Sequence, residues 1–108
     1  MPDAADLDPL AARLLAAALR RLAELVEVDL HKLPTDRAAA AEIRREVGDA
    51  RRNVLALDLD RWLGHAPDSA ERKRCHRALG RLETAGWVKP LAGPSGRRTT
   101  HLLIEVES

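Results

Sequence analysis

The stretch DSAERKRCHRALGRLETAGWV, residues 68–88, carries the signals for both ends of a helix. Asp68 follows Pro67 and has Glu71 three residues on, an acidic variant of the capping box, and Gly86 is a natural residue for the position just past a helix end. The spacing therefore predicts a helix over 68–85. At about 100° per residue, Cys75, Ala78, Leu79 and Leu82 form one apolar stripe. The opposite face centres on Lys73 and Arg77, with Ser69, His76 and Gly80 on one flank and Ala70, Arg74 and Arg81 on the other. Glu71 falls towards the apolar side, as a capping role allows. Gly80 in mid-helix costs about 1 kcal/mol relative to Ala, and on the outward face it would let a large partner approach closely.

On the C-terminal side, WVKPL (87–91) and TTHLLIEV (99–106) are β-prone runs flanking AGPSGRR (92–98), the arrangement of a hairpin with a loop longer than a tight turn. Pro90 confines the first of these strands to a sheet edge. Thr100, Leu102, Ile104 and Val106 alternate, giving the second strand one half-buried face. On the N-terminal side, NVLAL (53–57) reads as a short edge strand. In DLDRWLG (58–64), Leu59, Trp62 and Leu63 are spaced for a two-turn helix closed by Gly64.

Residues 7–30 read as one long helix, with Asp8 as its cap and Pro9 at its first position. Its Leu, Val and Ala residues cover well over half of the circumference and leave a narrow polar stripe at Arg13, Arg20, Glu24 and Glu27. Such a helix has two faces to bury, one in its own core and one, most simply, against a second copy; a homodimer through 7–30 is therefore expected. HKLP (31–34) ends this helix, and Thr35 is expected to cap a second one that stops near Gly48.

Charge is unevenly spread. Residues 1–70 hold 10 Lys or Arg against 13 Asp or Glu, residues 71–100 hold 8 against 2, and residues 101–108 hold two Glu, which sums to the net +1 of the 108-residue chain. The segment sums are −3, +6 and −2. A segregated basic block on an otherwise acidic small protein is an electrostatic footprint for a polyanion, against the alternative of a solvated face.

The same sequence argues against other classes. The length suits one domain, and no apolar run of roughly 18 residues or basic leader points to a membrane or to export, so a cytoplasmic protein is expected. A lone Cys75 on the apolar stripe reads as a small core residue, and Trp62 and Trp87 read as packing residues. His31, His65, His76 and His101 lack metal-ligand spacing, so neither a metal nor a cofactor is expected. GPSGRR lacks the lysine and following helix of a phosphate loop. There is also no GxSxG elbow and no pair of carboxylates in an apolar setting, so the chain does not read as an enzyme.

From Asn53 onward, the order strand, helix, helix, strand, loop, strand resembles the winged helix-turn-helix family, and RALGRLETAGWV (77–88) is similar to the recognition-helix exit of many prokaryotic transcription regulators. The resemblance covers roughly half of the chain. It implies a mainly α fold with a small β-hairpin wing, in which a winged helix (53–108) follows the two N-terminal helices (7–50), read here as its support and, from their apolar pattern, as the dimerisation element. It further implies that double-stranded DNA is the partner. Ser69, Arg72, Lys73, His76 and Arg77 would then face the major groove, while Arg74, Arg81 and Lys89 hold phosphates and Arg97 and Arg98 tip the wing at 92–98. The expected role is that of a transcription regulator or a DNA-binding accessory factor of a mobile element. The alternative is a winged-helix module that docks other proteins in a replication or transcription assembly without specific DNA binding.

Overall fold

The computed structural model describes residues 8–91 and 101–105, and within them the protein is mainly helical with one small antiparallel sheet. The elements are α1 (Pro9–Val26), α2 (Arg37–Ala50), β1 (Val54–Ala56), α3 (Leu59–Leu63), α4 (Ser69–Thr84), β2 (Val88–Leu91) and β3 (His101–Ile104). The sheet order is β1-β3-β2, so β1 and the Pro90-bearing β2 both lie at edges, as expected of them. Val54 stands opposite Leu103, and Val88 opposite Ile104.

Local chemistry explains most of the boundaries. Asp8 caps α1 by accepting from the Ala11 N–H at 3.0 Å, with Pro9 in the first turn. Gly64 closes α3 in the left-handed region at φ 82°, where a side chain would be strained. Asp68 accepts from the Glu71 N–H at 2.8 Å to start α4. At the other end the Trp87 N–H donates to the Leu82 carbonyl and the Gly86 N–H to that of Glu83, a Schellman closure with Gly86 at φ 87°.

Three boundaries differ from the sequence expectation. The first helix ends at Val26 and not at Leu30, because the Asp29 carboxylate accepts from the His31 N–H at 2.9 Å and so offers the backbone a turn in place of helix. Asp36 caps α2 in place of Thr35, taking the N–H groups of Ala38 and Ala39. This helix also runs through Gly48 to Ala50, and the chain then reverses at Asn53, whose φ of 61° an asparagine tolerates better than most residues.

A single cluster of buried side chains joins all the elements, with Leu14, Val47, Cys75, Leu82 and Ile104 fully enclosed. The expected apolar stripe of α4 is its inward face, since Cys75, Ala78 and Leu82 are buried and Leu79 packs against them. On β3, Leu102 and Ile104 are buried as the alternation predicts; Thr100 and Val106 lie outside the described residues. Trp62 and Trp87 are both core residues. No helix among the described residues is long and apolar enough to cross a membrane.

Candidate nucleic-acid interface

The core fixes α4 by one side only, leaving the other to solvent. Ser69, Arg72, Lys73, Arg74, His76, Arg77 and Arg81 are all exposed on this helix, and Lys89 is exposed on β2. Arg97 and Arg98 lie outside the described residues.

Ion pairing separates these cations into two groups. Arg81 is tied to the Asp8 carboxylate, 73 residues away in sequence. Elsewhere in the molecule Arg21 pairs with Glu46 at 2.8 Å, Arg52 with Asp49 at 2.8 Å, Arg61 with Asp58 at 3.4 Å, and Arg45 with Glu42. The side chains of Arg72, Lys73, Arg74, Arg77 and Lys89 take part in no hydrogen bond or ion pair among the described residues, as is also true of Arg20, Lys32, Arg37, Arg44 and Arg51 elsewhere. Glu71, the acidic residue of the first turn, is not available to them. Its carboxylate grips the His65 ring at 2.8 and 2.9 Å and does not reach back to complete the capping box.

That arrangement has a cost to the folded protein. Lys73 and Arg77 are four residues apart and Arg74 and Arg77 three, and each like-charge pair at such spacing destabilises a helix by about 0.2 to 0.5 kcal/mol. An external polyanion would remove this penalty. Along the same face Arg77, Gly80, Arg81, Thr84 and Ala85 line a shallow open depression, and a Cβ placed on Gly80 would meet nothing within 4 Å. A backbone strand could therefore approach the helix there.

A second concavity, lined among others by Arg21, Glu46, Asp49, Arg61 and Trp62, lies where α1, α2, β1 and α3 meet. Its arginines are already neutralised by its own carboxylates. Burial pushes the Cys75 thiol above its usual range, and the Glu71 carboxylate adds to the shift, so this sulfur is a protonated core atom with 0% exposure and not a reactive one.

The Asp8–Arg81 pair could not be anticipated from sequence, because its members are far apart in the chain. The Ala11 N–H, followed by the Arg81 guanidinium, holds the Asp8 carboxyl below its ordinary range. A depressed carboxylate stabilises the fold above its unfolded pKa, and that contribution is lost as pH falls through the folded value. Asp8→Asn keeps a good helix cap but releases Arg81 and removes one negative charge. Urea unfolding should then show a stability change of no more than about 1 kcal/mol. If this face binds DNA, the slope of log K against log salt should steepen by roughly one unit.

The chain matches no protein-family model, no curated protein and no solved structure.

Proposed function

We propose that the protein is a winged-helix DNA-binding protein in which α4 is the recognition helix and the 92–98 segment is the wing, serving as a transcription regulator or DNA-binding accessory factor. The observation that carries this reading is the row Arg72, Lys73, Arg74 and Arg77, whose side chains are exposed and unpaired among the described residues within the first nine residues of a helix held by its opposite face. The order β1, α3, α4, β2, β3 and the antiparallel pairing of β2 with β3 support the winged-helix assignment.

In this reading Ser69, Lys73, His76 and Arg77 present donors to base edges, with Arg72 beside them, while Arg74 and Lys89 hold phosphates. Arg81 is a conditional phosphate ligand, because it must first leave Asp8. Arg97 and Arg98 would reach the flanking backbone or the minor groove.

Selection of bound sequences from a pool of random duplex DNA tests the assignment. A recurring motif is the expected result. A pool that stays random after repeated rounds would leave the basic face to non-specific binding or to docking of an acidic protein, and would overturn the regulator reading.

A further inference from the structure

Among the described residues, the outer face of α1 is left exposed from Ala16 to Val26, with Ala12 half-buried at its start. Ala12, Ala16, Leu19, Ala23 and Val26 follow one another at intervals of four, three, four and three, the spacing of a helix-pairing seam. Leu19 is 39% and Val26 50% exposed, the large hydrophobic residues left in solvent among the described residues. The core takes a different face of the same helix, through Ala11, Leu14, Ala18, Leu22 and Leu25.

The two flanks of the seam are unlike. On one side Leu15 and Leu22 turn into the protein's own core. On the other side stand Arg13 and Arg20 towards the N-terminus, and Glu24 and Glu27 towards the C-terminus. When two copies of a helix pair antiparallel, like flanks face each other; when they pair parallel, unlike flanks do. Parallel pairing would press each charged flank against an apolar one, whereas antiparallel pairing sets positive ends against negative ends.

From these features we infer that the occupant of this face is a second copy of the chain, paired antiparallel through α1. The register that satisfies both size and charge places Leu19 of one copy against Ala23 of the other, and Val26 against Ala16. It brings Arg13 near the level of Glu27, and sets Arg20, beside the two-fold axis at residue 21, between the Arg20 and the Glu24 of the other copy. Small residues opposite large ones let the helices approach closely. The charges are free enough to serve. Glu24 has 65% of its side chain in solvent and only a 3.4 Å contact with its own Arg21. Arg13 donates one N–H to the Leu63 carbonyl at 2.8 Å and keeps other donors. In this register Ala12 faces residue 30, beyond the end of α1, so Ala16, Leu19, Ala23 and Val26 form a short seam and the dimer is weak.

Sedimentation equilibrium of the full chain without DNA tests the inference. The expected mass at high micromolar concentration is twice the 11.9 kDa of one chain. A monomer throughout that range overturns the proposal. Leu19→Glu should abolish the dimer, and Arg20→Glu should weaken it by about tenfold or more. Adding Glu24→Arg to Arg20→Glu should restore it, because the exchanged charges again face opposite partners. A dimer indifferent to Leu19→Glu rules out this seam, and a double variant as weak as the single rules out the antiparallel register. All three substitutions lie on the surface, and circular dichroism of each variant checks that it is folded. The inference does not depend on DNA binding: a dimer that ignores DNA would sink the proposed function and leave the seam standing.

Discussion

Leu82→Ala is expected to lower the unfolding free energy by roughly 2 to 5 kcal/mol, read as a fall in the urea midpoint. Leu82 is 1% exposed on the inward side of α4, in the cluster that contains Leu14, Cys75 and Ile104. Removing its branched end subtracts the transfer energy of the lost atoms and leaves a hole that two rigid helices and a sheet cannot fully close. A domain of this size has only about 5 to 15 kcal/mol of stability in total, so the loss is a large fraction of it. Arg77→Ala, one turn and a half away on the same helix but fully outward, should change stability by no more than about 0.5 kcal/mol. If the two variants were equally destabilised, the assignment of inward and outward faces would be wrong.

The second large effect is on recognition and not on folding. Lys73→Ala and Arg77→Ala are each expected to cost roughly 1 to 3 kcal/mol of discrimination between a selected site and random duplex, which is a loss of about one to two orders of magnitude in specificity. Arg97→Ala combined with Arg98→Ala should behave differently. Those arginines meet backbone in the proposed complex, so all sequences should be bound more weakly by a similar factor, and the salt slope should flatten by about two units. Competition titrations with site and non-site duplexes separate the two patterns. Equal losses on both duplexes from all four positions would mean that α4 reads no bases.

Most of the fold is legible in the sequence because the signals that write it are short-range. Asp8 with Pro9, Gly64, and Asp68 with Gly86 each specify a helix end within a few residues, and all of those ends stand where the sequence places them. The inward stripe of α4 and the alternation in β3 are equally local, since period alone reveals them. Two of the three misjudged boundaries share a cause, competition between neighbouring polar groups. Asp29 bonds to the His31 N–H and stops α1, and Asp36 takes the cap that Thr35 could also have filled.

What sequence could not reveal is pairing across the fold. Arg81 looks identical to Arg77 in one dimension, yet only Arg81 meets a carboxylate, because α1 and α4 pack together and bring Asp8 alongside it. Glu71 looks like a capping residue until His65 takes both of its oxygens. These contacts narrow the candidate site from an undivided basic block to the exposed row within the first nine residues of α4.

Binding of duplex DNA across a series of salt concentrations tests that central claim most directly. Arg74 on α4 and Lys89 on β2, the exposed cations assigned to phosphates, predict without any contribution from the wing that log K falls with log salt with a slope of about −1.8, and more steeply if Arg81 or the wing also engages. No binding at the lowest salt, or an affinity that does not change with salt, would contradict the account.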